Sequence, residues 1–193
     1  MNLKRIVAIS CVFLLCSIAA AGAGNCQPMA KQLVADFGGA FTQATVTKAQ
    51  LGFVGLDLQT GRMLTNNISV GLAAGYDIVS FQKVAGIYER LAVVPILAKA
   101  RYYLTIAPLM QLHASVAAGV YQSVPHLSVN PIGGVWDADI RPGGAAAIGF
   151  DYWFLGTKGL GAELEYNFFD SGSSKSSLFS YFAVRVNFSI IKL

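Results

Sequence analysis

The sequence predicts an all-β fold, an eight-stranded antiparallel up-and-down transmembrane β-barrel with a filled polar lumen. The first observation is that, from Lys31 onward, apolar and polar residues alternate with the period of two that is typical of strands with two unlike faces. The second is composition, since 54% of the residues are hydrophobic and only 12% are charged. The third is that these few charges fall on one face of the strands, together with glycine and alanine.

The N-terminal residues have the pattern of an export signal. The basic pair Lys4-Arg5 precedes the apolar run Ile6–Ala20, and Ala21-Gly22-Ala23 fits the small-x-small pattern cleaved by signal peptidase. We therefore expect residues 1–23 to be removed and residues 24–193 to form the barrel domain. The alternative is a retained membrane anchor, because the apolar stretch barely reaches spanning length.

Cysteine usage argues against an internal disulfide, and the net charge argues against a nucleic-acid partner. Cys11 and Cys16 lie in the signal, so Cys26 alone would remain, and the mature domain has no internal disulfide. Cys26 is either a free thiol or the lipid-modified first residue of a lipoprotein, although the residues before it lack the usual leucine. Loss of Lys4 and Arg5 lowers the formal net charge from +4 to +2, which predicts no nucleic-acid partner.

Eight segments of alternating sequence follow, each about the ~9–11 residues that cross a bilayer when tilted. In chain order the predicted strands are Gln32–Thr42, Gln50–Gln59, Ile68–Ser80, Leu91–Leu104, Met110–Val124, Arg141–Phe154, Leu160–Asp170 and Leu178–Ile190. The shorter predicted connections are Gly61–Asn67, Thr105–Leu109 and Leu155–Gly159. The longer ones are Gln43–Ala49, Phe81–Arg90, Pro125–Ile140 and Ser171–Ser177. In a meander the two sets lie at opposite ends, as in barrels with short periplasmic turns and longer external loops.

Each strand separates into a charge-free face and a polar face. In order along the chain, the charge-free face carries Val54, Leu56, Leu58, Val70, Leu72, Ala74, Tyr76, Val94, Ile96, Ala98, Tyr102, Val116, Ala118, Val120, Ile148, Phe150, Tyr152, Phe154, Leu160, Leu164, Tyr166, Phe168, Phe182, Val184, Val186 and Phe188. The polar face carries Asp36, Asp57, Asp77, Lys99, Arg101, Asp151, Glu163, Glu165, Arg185 and Asn187, separated by glycine and alanine.

The polar face is the one expected inside. A soluble barrel would bury the apolar face and cover the other with long solvated side chains, whereas glycine and alanine suit a crowded, curved interior. Aromatic residues at the ends of the apolar face, such as Tyr76, Tyr102, Tyr152 and Phe154, are typical of membrane girdles. Lipid also requires closure, because every backbone N–H and C=O must be paired there. A soluble secreted barrel is the alternative.

The chain resembles the small outer-membrane β-barrels, the family of the outer-membrane protein A transmembrane domain and the opacity-type proteins. The similarity lies in the export signal, the eight segments, "VVPILAKARYYL" (93–104), "GAAAIGFDYWF" (144–154) and "YFAVRVNF" (181–188). Family members commonly end in an aromatic residue, but here "SIIKL" follows Phe188. The resemblance implies a monomer in the outer membrane that contacts lipid and presents external loops to host or envelope surface partners.

Comparing heights along the strands places a cluster of mixed charge in the lumen. Its predicted members are Asp36, Lys99, Arg101, Asp151, Glu163, Glu165 and Arg185. Ionised groups in a narrow interior must be paired, so we expect an electrostatic plug that rigidifies the barrel. A gated polar path or proton relay is the functional alternative.

Four aromatic residues of the polar face lie nearer the external mouth. They are Phe53, Tyr121, Phe169 and Tyr181. They form either a packed lid over the charged cluster or an apolar pocket that holds a hydrophobic ligand, as in small binding barrels.

Catalytic and metal sites are weakly indicated. His113 and Ser115 point the same way and resemble the His-x-Ser pair of some outer-membrane lipid hydrolases, but they belong to the lumen-facing set, away from lipid. His126 has no partners at the spacing of a standard metal site. We therefore expect a non-enzymatic barrel with no cofactor and no metal, whose loops serve surface interaction, adhesion or envelope integrity; a channel or binding protein for an apolar ligand and a lipid hydrolase are the alternatives.

Overall fold

The computed structural model describes residues 29–45, 51–84, 87–125, 139–154, 157–170 and 178–192. Its elements are eight strands: β1 Leu33–Ala44, β2 Leu51–Met63, β3 Ile68–Val84, β4 Ile87–Ala107, β5 Met110–Pro125, β6 Asp139–Trp153, β7 Lys158–Asp170 and β8 Leu178–Lys192. The described residues include no helix both long and apolar enough to cross a bilayer.

The strands form one closed antiparallel barrel in sequence order. β8 returns to β1 and pairs with it from Leu33↔Lys192 to Ala44↔Tyr181, so the first and last strands leave no free edge along this seam. Closure of this kind satisfies the backbone polar groups that lipid cannot. The predicted fold class and strand order are confirmed.

The hairpin formed by β3 and β4 corrects one predicted loop. Residues Phe81–Arg90 were expected to be a long external connection, but the backbone pairs as strand from Ile68↔Tyr102 up to Val84↔Ile87. The stretch includes the charged residues Lys83, Glu89 and Arg90, which a strand can carry beyond the membrane because no side of it faces lipid there. Charge alone therefore does not distinguish such a strand from a loop. Pro95 lacks the ladder donor, and the pairing opposite it is interrupted without a change of register.

The outer surface is apolar through the middle of the barrel, as predicted. Leu56, Leu72, Val116 and Ile148 are each at least 61% exposed. Aromatic rings cluster toward both ends: Phe37 and Phe188 have centroids 5.2 Å apart near the short turns, and Tyr166 and Phe182 are 5.1 Å apart toward the other end. Exposed apolar side chains bounded by aromatic girdles are the surface of a membrane-embedded barrel.

The outward face of β7 gives the height of this apolar band. Lys158 and Asp170 begin and end the strand, and both are exposed, while the outward residues between them are uncharged. The 13 residues of β7 extend about 40 Å at ~3.3 Å per residue. At the ~40° tilt of membrane barrels this length covers about 30 Å of the membrane normal, close to a hydrocarbon core.

The lumen consists of three layers. At the end with the short turns, an apolar cluster contains Val34, Met63, Tyr103, Leu109, Trp153 and Ile191. Toward the other end a second apolar cluster contains Ala40, Ala44, Ala73, Val79, Val93, Leu97, Tyr121, Ala145, Phe169, Tyr181 and Ala183. Buried charged residues occupy the level between them.

Several predictions from the sequence concern residues outside the described part of the chain. The export signal at residues 1–23, Cys26 and His126 are among them, as are most of the predicted external loops. The domain boundary at residue 24 therefore stays a prediction.

Candidate functional site in the barrel lumen

Arg185 on β8 is the centre of the upper half of the charged layer. Its Nη2 donates to Glu165 Oε1 at 2.8 Å and to Asp77 Oδ2 at 3.0 Å, and Nη1 lies 3.5 Å from Asp57 Oδ1. The Arg185 side chain is 1% exposed. A buried guanidinium is tolerated only with such charged acceptors, so Arg185 joins three strands through its carboxylate partners.

Glu163 on β7 is the centre of the lower half. Lys99 Nζ donates to its Oε1 at 2.7 Å, and Arg101 Nη2 donates to its Oε2 at 3.0 Å. Arg101 also donates to Asp36 at 2.8 Å, and Lys99 lies 3.3 Å from Glu165. Because Lys99 contacts both glutamates, it links the two halves into one network.

His113 on β5 extends this network to β6. Its Nδ1 lies 3.0 Å from Asp151 Oδ2, and its Nε2 lies 3.0 Å from Glu163 Oε2. A ring nitrogen must carry a proton to donate to an ionised carboxylate. His113 therefore bridges Asp151 on β6 and Glu163 on β7 through its two ring nitrogens.

The arrangement does not form a nucleophile–base pair. Ser115 is buried in the lumen, two residues from His113, and its Oγ has no hydrogen-bond partner among the described residues. His113 instead contacts Asp151 and Glu163, as above. Both residues of the predicted His-x-Ser pair are therefore enclosed and separated from lipid.

Glycines on the lumen wall make room for these side chains. A Cβ on Gly149 would overlap the His113 ring and the Ala162 carbonyl, and one on Gly161 would overlap the Asp151 carboxylate. Gly149 and Gly161 lie on the neighbouring strands β6 and β7. The small residues of the polar face are therefore the space in which the larger charged groups fit.

The predicted aromatic mouth is a packed layer in the described residues. Tyr121 and Phe169 stack with centroids 4.9 Å apart, and Tyr121 and Tyr181 are fully buried. The Tyr181 hydroxyl donates to Asp77 at 2.8 Å, and that of Tyr121 donates to Asn167 at 2.9 Å. These rings cover the charged layer and bond to it. The Phe53 side chain lies outside the described residues.

The buried charges are unequal in number. In the described residues the buried acids are Asp36, Asp57, Asp77, Asp151, Glu163 and Glu165, and the buried permanent cations are Lys99, Arg101 and Arg185. His113 is the remaining titratable base of this layer. Carboxylates exceed cations even when His113 is charged, so each cation serves several acids.

All seven residues of the predicted charge cluster lie in this network. The sequence places Asp57 and Asp77 on the polar face without grouping them with the cluster, and it indicates His113 only as a catalytic candidate. The sequence feature that could have identified these three residues is their position on the polar face. Their heights depend on the stagger between strands, which alternation does not give.

The charged layer has little free space and no metal centre within the part of the chain that the structure describes. A cavity of about 20 Å³ lies beside Asp36, Gln59, Ser69, Lys99 and Arg101. This volume suits one water molecule. No group of three or more His, Cys, Asp or Glu side chains in the described residues has the geometry to hold a metal ion.

Comparison with known proteins identifies solved structures that share the fold of this chain. No protein-family model and no curated protein matches the sequence. Among solved structures, the outer membrane protein OprG from Pseudomonas aeruginosa is similar with a TM-score of 0.60 at 11% identity, covering 86% of this chain and 98% of that one. Neisserial surface protein A is similar with a TM-score of 0.59 at 14% identity, covering 82% of this chain and 95% of that one.

A third similar structure contains a ligand. Ail of Yersinia pestis, crystallised with the heparin analogue sucrose octasulfate, has a TM-score of 0.50 at 13% identity and covers 84% of this chain and 100% of its own. The chain shares the eight-stranded barrel fold of these outer-membrane proteins, which confirms the predicted fold class and the predicted resemblance to small outer-membrane barrels. Its location in the outer membrane stays a prediction.

Proposed function

We propose that this chain is a non-enzymatic, monomeric outer-membrane barrel that holds its external connections at the cell surface. The connections would serve surface interaction, adhesion or envelope integrity, with host or envelope molecules as partners. The charged network in the lumen would be a structural plug that keeps the barrel rigid. No cofactor is required for either role.

The layered lumen is the observation that carries this proposal. Arg185 and Glu163 join the strands through ion pairs of 2.7 to 3.5 Å, and apolar clusters lie above and below them. A solute path would need water along the axis, and barrels with water-filled lumens have about 16 strands rather than eight. The ion pairs in the lumen therefore favour a role in keeping the barrel rigid over a role in transport.

The connections at the end opposite the short turns support a surface role. Residues 126–138 join β5 to β6 and residues 171–177 join β7 to β8, whereas only residues 108–109 join β4 to β5. Binding residues of rigid scaffolds are found disproportionately on such connecting segments. With the short turns in the periplasm, the long segments face outward.

The experiment exchanges these segments while the barrel is kept. Residues 126–138 and 171–177 are replaced, separately and together, by short Gly-Ser linkers, and cells expressing each variant are tested for attachment to heparin-coated and uncoated surfaces and for sensitivity to detergent. Heparin is the first probe because the Ail structure holds a heparin analogue. Replacement of the periplasmic turn at residues 64–67 is the matched control.

We expect the external exchanges to remove attachment or to increase detergent sensitivity, and the turn exchange to leave both unchanged. All variants should retain heat-dependent gel mobility, which reports a folded barrel. A double exchange that leaves every one of these properties at the wild-type level would contradict the surface role.

Two measurements separate the alternative functions. A channel or binding site for apolar compounds would require the layer around Tyr121, Phe169 and Tyr181 to open, and would give planar-bilayer conductance or hydrophobe binding. A lipid hydrolase would require Ser115, so the Ser115→Ala variant would change the phospholipid or lipid A profile of cells. We expect no conductance and unchanged lipid profiles.

A further inference from the structure

The rim at the short-turn end carries positive charge on its outer side. Lys31, Arg62 and Lys158 are exposed there, and the described residues of this rim include no Asp or Glu. The opposite end differs, since its exposed charges include both Arg90 and Asp170. A uniformly basic rim at the membrane surface attracts anionic head groups, at about 1 kcal/mol for each lysine or arginine.

A groove on the lipid-facing wall lies just above this rim. It has a volume of about 660 Å³ and crosses strands β4 to β8. Its outward-facing lining includes Tyr102, Ala114, Ile148, Phe150, Ala162 and Leu164. Ala114 on β5 and Ala162 on β7 are much smaller than their neighbours, so each leaves a recess in the groove floor on either side of Ile148 and Phe150 of β6.

The groove and the basic rim are aligned on one strand. Lys158 and Ala162 are both on the outward face of β7, with Leu160 between them. They are four positions apart, which is about 13 Å along the strand and about 10 Å along the membrane normal at the usual tilt. A lipid whose acyl chain occupies the groove would thus have its head group at the level of the Lys158 ammonium.

We propose that this surface is a binding site for one phospholipid with an anionic head group. The acyl chain lies over Ala114 and Ala162, and the phosphate contacts Lys158, which has no carboxylate partner within the described residues. With the turns on the periplasmic side, the lipid belongs to the periplasmic leaflet, and this leaflet assignment rests on the proposed orientation. The site itself does not depend on any surface function.

The site is tested by native mass spectrometry of the purified barrel in non-ionic detergent, titrated with phosphatidylglycerol or phosphatidylcholine. Lys158→Gln removes the cation, and Ala162→Leu fills the groove floor from β7; Ala114→Leu fills it from β5. Arg62→Gln is the charge control elsewhere on the rim. Ala74→Leu is the size control, since Ala74 is exposed on the lipid face but outside the groove.

We expect Lys158→Gln to weaken binding of phosphatidylglycerol about fivefold and to leave phosphatidylcholine unchanged. Either leucine in the groove should weaken binding of both lipids, while both controls bind as the wild type does. The proposal is overturned if Lys158→Gln and Arg62→Gln have equal effects, or if the groove variants bind lipid as Ala74→Leu does. Heat-dependent gel mobility checks that each variant is folded.

Discussion

Replacement of Arg185 by methionine tests the lumen network at its most connected cation. Methionine keeps most of the side-chain volume but removes the charge that Asp57, Asp77 and Glu165 share. These acids already belong to a layer in which carboxylates outnumber cations. Without Arg185, neither Asp57 nor Asp77 would have another cation within 4 Å among the described residues.

The expected loss of stability follows from that imbalance. Removing one partner of a buried pair costs about 3–5 kcal/mol, because the remaining charge is left uncompensated. Here two acids are affected, so Arg185→Met should fall at the upper end of this range. By contrast, Glu165→Gln leaves Arg185 with Asp57 and Asp77, and the loss is about that of one charged hydrogen bond, roughly 1.5–3 kcal/mol.

The assay is urea unfolding of each barrel refolded into phospholipid vesicles, followed by tryptophan fluorescence and by mobility of unboiled samples on a gel. The free energy of unfolding should order as wild type, then Glu165→Gln, then Arg185→Met. If the two variants are destabilised equally, or if Arg185→Met is the milder, the deficit of buried cations has no energetic role and the network has been misinterpreted.

Two matched pairs of substitutions test the faces and the packing of the wall. Glu165→Leu should destabilise the barrel by a few kcal/mol, because Lys99 and Arg185 lose a buried partner. The neighbouring Leu164→Ile, on the lipid face, should change the free energy of unfolding by less than about 1.5 kcal/mol. Equal effects of the two substitutions in urea unfolding would contradict the inward assignment of Glu165. Gly149→Ala should lower the free energy of unfolding by about 1–3 kcal/mol, because its Cβ would overlap the Ala162 carbonyl and the His113 ring. Gly39→Ala should be neutral or stabilising, because the nearest atom to its Cβ would be 3.6 Å away. Identical unfolding midpoints for the two glycine variants would show that the wall is less crowded than the structure indicates.

The barrel can be predicted from the sequence because lipid imposes a strict alternation of apolar and polar residues on each strand. A strand with hydrocarbon on one side and a narrow lumen on the other must alternate, and residues 160–168 do so, with Glu163 and Glu165 both on the inward face. The same pattern identifies which face each charge occupies. It fails for Phe81–Arg90, because that part of the hairpin lies beyond the apolar band and neither face is constrained by lipid.

The pairing within the lumen is less accessible to sequence. Arg185 contacts Asp77, which is 108 residues away, and Lys99 contacts Glu163 across the barrel. Which acid meets which cation depends on the stagger of the strands and on glycines that leave space, such as Gly161 beside Asp151. Alternation identifies members of the inward face and leaves their heights undetermined to within a few residues.

The central claim, that this chain is a barrel integrated in the outer membrane with its charges inside, is tested most directly by fractionation combined with gel mobility. Cells expressing the full chain are separated into soluble, inner-membrane and outer-membrane fractions, and the protein is extracted with detergent and run with and without boiling. We predict recovery in the outer-membrane fraction and a faster-migrating band in the unboiled sample. Recovery in the soluble fraction without detergent, with no change of mobility on boiling, would contradict the account.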